Sequence, residues 1–275
     1  MRLPVNPAKS SATGGDTLTA SPRLTKQRPN WYIIEHKERR RVLEMIFDNN
    51  DVRLEPRYTL SEASRYVWVN AETLRTWAKG RFYHAGGERR RAGPVLDDSR
   101  GQRLSFMNLI EGHVLAALRQ THQVPMQKIR KAVEWIKERY RAEYPLLHPD
   151  LATDGLDIFI REFGRIISAS EQGQVVMRAV MERYLSRIER DREGIPIQFY
   201  PFTRKPGDDT TPRFIVIDPS VAFGRPVLDG TRIALTIIIE RFTAGESPES
   251  LATDYSLPLD RIYEALRTSY ERTAA

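Results

Sequence analysis

The chain has no cysteine among its 275 residues. This absence excludes disulfide bonds, thiolate zinc sites and a cysteine nucleophile. No stretch approaches the roughly 18 to 20 uninterrupted apolar residues that a membrane span requires, and residues 1–24 lack the apolar core of a signal peptide. We therefore expect a cytoplasmic protein that does not contact a membrane.

Patterns of enzymes and metal sites are also missing. There is no HExxH, no phosphate-binding glycine loop and no GxSxG elbow. Paired carboxylates at Asp97-Asp98, at Asp154 with Asp157 and at Asp208-Asp209 lie in loop-like sequence, where turns and caps account for them. We expect no enzyme, no metal and no cofactor. The histidines, interpreted as helix-surface or turn residues, are His36, His84, His113, His122 and His148.

Positive charge is concentrated in one short segment. The net charge of +7 divides into +3 for residues 1–56, +5 for 57–103, +1 for 104–212 and −2 for 213–275. A local excess of lysine and arginine is typical of a surface that neutralises phosphates. Residues 57–103 are therefore the first candidate for binding nucleic acid.

The chain is long enough for several domains. Composition and helical periodicity predict a mainly α fold with an N-terminal winged helix-turn-helix, a central α+β region and a C-terminal three-helix, homeodomain-like module preceded by a short β-hairpin. The predicted segments are a disordered tail at 1–29, a helical lead-in at 30–56, the winged region with its following helices at 57–150, the small α+β region at 151–206 and the C-terminal module at 207–275.

Two short helices separated by a tight turn are predicted between residues 58 and 80. Ser61 can cap the first helix and Asn70 the second, with the turn at Trp68 and Val69. Helices this short need a third element to pack against. The pattern is typical of a helix-turn-helix.

Tyr58-Thr59-Leu60 and 73–77, which read Thr-Leu-Arg-Thr-Trp, resemble the winged-helix module of MerR-like regulators. The resemblance implies a recognition helix at 73–77 followed by a basic wing. Trp68 departs from it, because that turn usually holds glycine. A bulky residue disfavours a positive φ, so either the turn geometry differs or Trp68 packs on a neighbouring element.

A β-hairpin is predicted after the second helix. Residues 81–83 and 94–96 can pair as strands around the loop 84–93, which carries three consecutive arginines. Arginine suits phosphate and narrow-groove contacts, so we interpret the loop as a wing, the alternative being a solvated loop. The predicted DNA-binding residues are Thr73, Arg75, Thr76, Lys79, Arg81, Arg89, Arg90 and Arg91.

The central region is predicted to mix strands and helix. Short apolar runs at 158–160, 165–167 and 196–200 favour strands, and 174–189 has helical spacing. Residues 203–211 are interpreted as a polar linker. The two helical stretches that precede this region, beginning at Phe106 and after Pro125, could also form a dimer surface.

The last sixty or so residues form the firmest pattern. A strand at 214–217 and turn residues at Asp218-Pro219 are followed by helices predicted at 234–244, 248–255 and 259–270. The segment resembles the domain-of-unknown-function family 433, often grouped with VapB-like antitoxins. That resemblance rests on 217–219, Gly224-Arg225-Pro226, Gly230-Thr231-Arg232 and 245–252.

The family resemblance implies an antitoxin whose toxin looks like a PIN-domain ribonuclease. Because residues 213–275 carry a net charge of −2, we expect this module to bind protein, either a toxin or its own copy. Whether it also binds DNA stays open. The candidate partner contacts are Arg225, Arg232, Asp260 and Glu264.

The leading hypothesis is a homodimeric, DNA-binding antitoxin of a type II toxin–antitoxin pair. It would bind double-stranded DNA, repress its own promoter and neutralise a PIN-like ribonuclease toxin. The alternative is a stand-alone MerR-like transcriptional regulator without a toxin. An enzyme would need a carboxylate or metal triad that the patterns do not show.

Overall fold

The computed structural model describes residues 51–96, 103–120, 124–140, 142–148, 151 and 155–271. The predicted tail and helical lead-in before residue 51, together with His36, His122, Asp97-Asp98 and Asp154, lie outside these residues.

The described part of the chain is mainly helical, as predicted, with nine α-helices and four two-stranded antiparallel sheets. The helices are α1 Leu60–Val67, α2 Ala71–Lys79, α3 Phe106–Gln120, α4 Met126–Tyr140, α5 Gly155–Ile167, α6 Glu171–Leu185, α7 Leu235–Thr243, α8 Pro248–Tyr255 and α9 Leu259–Glu271. The sheets pair β1 Tyr58–Thr59 with β4 Arg103–Leu104, β2 Arg81–Ala85 with β3 Glu88–Ala92, β5 Ile188–Arg190 with β6 Pro196–Phe199, and β7 Ile215–Val216 with β8 Val227–Leu228.

The caps of α1 and α2 position the first helix pair. Thr59, not the predicted Ser61, caps α1: its hydroxyl oxygen accepts from the Glu62 amide, and the Glu62 carboxylate accepts from the Thr59 amide. This reciprocal box satisfies two helix-end donors, and Ser61 could not form it because the residue three positions further on is Ser64, not Glu or Gln. Asn70 caps α2 as predicted, accepting from the amides of Glu72 and Thr73.

The hairpin after α2 differs from the predicted register. Residues 81–85 pair with 88–92, so the arginines lie on the second strand rather than in a loop, and 94–96 is not a strand. Gly86 and Gly87 take φ angles of 62° and 81° and close a two-residue turn. Two residues with positive φ give a turn whose twist matches that of the strands. The two-residue turn is therefore favoured over the longer loop predicted at 84–93.

The runs at 158–160 and 165–167, predicted as strands, belong to helix α5 instead. Leu156, Phe159, Ile160 and Phe163 are all buried. Their spacing of three and four residues marks one helical face, which the short apolar runs concealed. The predicted strand at 196–200 is confirmed as β6, whereas the helix predicted to reach residue 189 ends at Leu185 and gives way to β5.

Helix α3 forms the centre of the core. Its residues from Phe106 to Leu118 are all buried, as in a helix enclosed on every side. It packs against α1 and α6, while α4 and α5 pack together beside it. Helix α1 of the first helix pair is thereby packed against the core.

The C-terminal helices occur where predicted. Helices α7, α8 and α9 enclose an apolar cluster that includes Leu235, Ile238, Leu251 and Ile262, completed by residues of β7 and β8. An antiparallel bridge from Phe199 to Ile217 connects this module to β6.

The segment 203–211, predicted as a linker, is packed rather than free. Thr203 and Thr211 are buried at its ends. The buried guanidinium of Arg187 donates to the carbonyl oxygens of Tyr200, Thr211, Pro201 and Pro212. Burial lowers the pKa of Arg187 to about 10. One cation thus anchors both ends of the segment, an arrangement that composition does not reveal.

Candidate functional site

Helix α2 divides into an inner and an outer face. Leu74, Trp77 and Ala78 are buried against the core. Arg75 and Lys79 are exposed on the opposite side. The Arg75 Nε lies 3.5 Å from Glu72 Oε2 in an exposed pair. Such a pair contributes little to stability, so Arg75 can exchange its partner for a ligand at small cost.

The hairpin presents its arginines on two faces. Strand alternation places Arg89 and Arg91 on the face that carries Phe82, and Arg90 on the face that carries Tyr83. The guanidinium carbon of Arg89 lies 4.1 Å from the Phe82 ring centroid, and that of Arg91 lies 5.9 Å from it. Stacking on the ring holds both cations outward at the surface.

A groove of about 950 Å³, the basic groove, opens between α2, the hairpin and α4. Half-buried Thr73 and Thr76 of α2 line it together with Arg81 and Arg91 of the hairpin. Four of the eight predicted DNA-binding residues therefore meet at one surface. The other four, Arg75, Lys79, Arg89 and Arg90, are exposed outside the groove lining.

Helix α4 supplies groove residues beyond those predicted from the sequence. Six basic residues and three glutamates line the groove. Burial, and after it the nearby charge of Arg81, lowers the pKa of Arg130. The excess of basic residues over glutamates in the groove lining suits an anionic ligand. The basic residues are Arg81, Arg91, Arg119, Arg130, Lys131 and Lys137.

The sequence of α4 does indicate that one side of the helix is basic. Its sequence, MQKIRKAVEWIKERY, buries Ile129, Val133 and Ile136, so Arg130, Lys131 and Lys137 fall between the inward positions. Nothing in that periodicity tells which neighbour the basic side faces. The Arg130 guanidinium donates Nη1 to the Gly93 carbonyl, which ties α4 to the end of the hairpin.

The turn between α1 and α2 shows the second of the two predicted outcomes for Trp68, a contact with a neighbouring element. Its backbone keeps the left-handed conformation, with φ 56° and ψ 41°, and its amide donates to the Ser64 carbonyl. Its indole Nε1 donates to the carbonyl oxygen of Phe202 at 2.7 Å. A contact with the central region therefore accompanies the bulky residue in a position that normally favours glycine.

The predicted partner residues of the C-terminal module lie on a loop, a turn and helix α9. Arg225, Arg232 and Asp260 are exposed in the loop before β8, the turn before α7 and the first turn of α9. Glu264 is buried: its carboxylate accepts from the Thr203 hydroxyl, and Arg204 Nη2 lies 3.4 Å away. Glu264 is therefore an internal anchor, and its assignment to a partner surface was wrong.

His113 does not match the expected surface or turn histidine. It is buried on α3, where Nε2 lies 3.1 Å from the Tyr184 carbonyl oxygen and the ring packs against Tyr184, Phe199 and Phe202. Burial lowers the pKa of His113 to about 3. Its role is structural. His148 is likewise buried, whereas His84 is exposed on β2.

Among the described residues, no group of three or more histidines and carboxylates is placed to hold a metal ion. None of the helices found there is both long and apolar enough to cross a membrane.

Two family models match the chain. One, described as "Putative DNA-binding HTH domain", covers residues 56–133, from just before β1 into α4. The other, "Protein of unknown function (DUF433)", covers residues 215–267, from β7 into α9. The first match contains the whole basic groove apart from Glu134, Lys137, Glu143 and Pro145.

Relatives with assigned names occur in Mycobacterium tuberculosis H37Rv. A protein named "Putative antitoxin VapB45" is 30% identical over 237 residues, which is 77% of this chain and 92% of that protein. "Uncharacterized protein Rv2308" is 29% identical over 220 residues, 76% of this chain and 88% of that protein. The crystal structure of Rv2018 from the same species matches with a TM-score of 0.57 and 26% identity, covering 78% of this chain and 98% of that one.

Proposed function

Because this chain belongs to the family of the mycobacterial protein named putative antitoxin VapB45, we propose that it is the DNA-binding antitoxin of a toxin–antitoxin pair. It binds its own promoter and represses it, and it neutralises a partner toxin that resembles a PIN-domain ribonuclease. The observation that carries the DNA-binding part is the basic groove, in which α2, the hairpin and α4 converge.

In this proposal α1, α2 and the hairpin form a winged helix-turn-helix similar to that of MerR-like regulators. Helix α2 enters the major groove, where Arg75 or Thr76 can reach a base edge. Lys79 and the hairpin arginines contact phosphates. Because α4 lines the same groove, Arg130 and Lys131 bind the phosphates of the strand that passes between the hairpin and α4.

A homodimer fits this mode of binding. A recognition helix reads only a few base pairs, and helix-turn-helix proteins gain affinity by pairing two half-sites about one helical turn apart. The C-terminal module has three helices, which we propose to be homeodomain-like, and residues 213–275 carry a net charge of −2. We assign it to protein contacts rather than to DNA.

Fluorescence anisotropy with a labelled fragment of the chain's own promoter tests DNA binding across a range of salt concentrations. Replacing Arg89, Arg90 and Arg91 together by alanine should reduce the slope of log K against log salt by at most about three units, since each lost phosphate contact contributes roughly 0.9. An unchanged slope would remove the hairpin from the interface.

Coexpression with the product of the adjacent reading frame tests the antitoxin part. We expect that product to arrest growth alone, and this chain to form a stable complex with it and restore growth. If the chain binds its promoter but no such product binds the chain, the results favour the alternative function, a stand-alone transcriptional regulator.

A further inference from the structure

Helix α2 carries a carboxylate on its outward ridge. Glu72, Arg75 and Lys79 are spaced by three and four residues, and all three are exposed. This ridge lies opposite the buried side chains of Leu74 and Trp77. In a helix-turn-helix the outward side of the second helix faces the DNA, and its N-terminal residues contact base edges. Glu72 and Arg75, in the first half of α2, are therefore the ridge residues placed for contact with bases.

The caps of the helix pair do not use the Glu72 carboxylate. The Asn70 side-chain oxygen accepts from the amides of Glu72 and Thr73, so the N-terminus of α2 is capped without a carboxylate. The other acidic residue of the two helices, Glu62, belongs to the capping box with Thr59. The Glu72 side chain is 74% exposed. Its negative charge thus lies on the surface proposed to meet DNA.

The Glu72 carboxylate lies beside the Arg75 guanidinium. Their 3.5 Å contact is made by Nε, the inner nitrogen of the guanidinium. The terminal nitrogens Nη1 and Nη2 are two donors that match the O6 and N7 acceptors of a guanine. Arg75 can therefore bind a guanine while Glu72 stays next to it. Thr76 differs, because its hydroxyl donates to the Glu72 carbonyl oxygen at 3.0 Å and that donor is committed to the helix.

The major-groove edges of the bases determine what a carboxylate on this ridge can bind. A carboxylate only accepts hydrogen bonds. Guanine and thymine present acceptors there, and adenine places its N7 acceptor next to its N6 amino group. Cytosine presents its N4 amino group without an acceptor beside it. Cytosine is therefore the base that a carboxylate binds best.

We propose that Glu72 is a specificity-determining residue, which accepts from the N4 amino group of a cytosine close to a guanine bound by Arg75. The inference rests on the proposed DNA-binding function and names the bases that α2 contacts. The carboxylate lowers the affinity for every sequence without that cytosine, because there it faces phosphates and base acceptors and gains no donor.

Selection from a randomised duplex library by the full chain, followed by sequencing, measures the base preference. The wild type should select a cytosine and a guanine at neighbouring positions. Glu72→Gln should change the cytosine to adenine, because a glutamine amide accepts from N6 and donates to N7 of adenine. A role limited to the helix dipole would leave the selected bases unchanged, since it does not depend on DNA sequence.

The discrimination is then measured by anisotropy with the selected duplex and with a duplex that carries thymine in place of the cytosine. The ratio of the two Kd values should be at least about fivefold for the wild type and within about twofold for Glu72→Ala.

Glu88→Gln is the matched control. Glu88 and Arg90 of the hairpin form a pair at 3.3 Å whose side chains are 74% and 57% exposed, the same fractions as for Glu72 and Arg75. The control also removes one exposed negative charge, but it should leave the selected bases unchanged. The same loss of base preference in Glu88→Gln would assign the effect to net charge and contradict the proposal.

The outcomes separate this inference from the proposed function. DNA binding without a base preference, or a preference that Glu72→Gln does not alter, overturns the inference and leaves DNA binding intact. A lower Tm of Glu72→Gln with unchanged selected bases would limit Glu72 to stabilising the helix and likewise overturn it. No binding of the wild type to its promoter or to the library overturns both.

Discussion

The indole Nε1 of Trp68 donates to the carbonyl oxygen of Phe202 across 134 residues of sequence, at 2.7 Å. Trp68 is the left-handed residue that ends α1, and Phe202 belongs to the buried aromatic group around His113. The position of α2 on the core is therefore coupled to the central region through one hydrogen bond.

Replacing Trp68 by phenylalanine should destabilise the fold by about 1 to 2 kcal/mol, because it removes the donor to the Phe202 carbonyl and keeps the left-handed backbone cost. Urea denaturation followed by circular dichroism measures the change, with a lower midpoint and an unchanged slope. Trp135→Phe is the control, since Trp135 is half-buried and contacts the Arg139 side chain. A loss of equal size in the control would argue against a special role for the Trp68 bond.

Thr203→Val should cost about 2 kcal/mol of unfolding free energy, because the buried Glu264 carboxylate loses a hydroxyl donor while the side-chain volume stays nearly constant. Thr210→Val is the comparison: Thr210 is exposed and donates to Asp208, so its loss should stay within about 0.5 kcal/mol. Chemical denaturation of both variants measures the difference. Similar values for the two would mean that Glu264 is adequately satisfied without Thr203.

Acid should destabilise the protein through His113. Burial lowers the pKa of His113 to about 3, below its ordinary value of 6.5. Between these values the unfolded chain binds a proton that the folded chain does not, so this contribution to stability is present above pH 6.5 and is lost as the pH falls. From pH 7 to pH 5 it should amount to about 2 kcal/mol.

The pH dependence is checked by urea denaturation of wild type and His113→Gln at both pH values. Glutamine can still donate toward the Tyr184 carbonyl but does not titrate. The wild type should lose about 2 kcal/mol more than the variant on acidification. Parallel pH profiles would show that His113 does not carry this effect.

Lys131→Ala should weaken promoter binding roughly tenfold near 0.1 M salt and reduce the salt slope by about 0.9, as expected for one lost phosphate contact. Lys131 is exposed on α4 and lines the basic groove. Lys205→Ala removes an equally exposed charge outside the groove lining and serves as the control. Anisotropy titrations of both variants across salt concentrations measure the two salt slopes. Equal slopes would mean that Lys131 of α4 makes no phosphate contact.

Local signals in the sequence were enough for the C-terminal helices and for α2. Asn70 caps α2 where predicted, because a cap needs only backbone amides two or three residues away. The short apolar runs of α5 were wrongly predicted as strands. A few consecutive apolar residues fit a strand or a helix equally well until the surface they pack against is known. The hairpin register depended on where the turn lies. Gly86 and Gly87 form a two-residue turn, so residues 81–85 pair with 88–92.

The candidate site was predictable only in part. Sequence by itself determined the basic excess of 57–103, the outward position of Arg75 and Lys79 and the family of the last module, because charge, periodicity and motif residues are properties of neighbours along the chain. Only the tertiary structure decided that α4 shares a groove with α2 and that Glu264 is buried. These depend on contacts between residues far apart in sequence, such as Thr203 with Glu264, which local patterns do not encode.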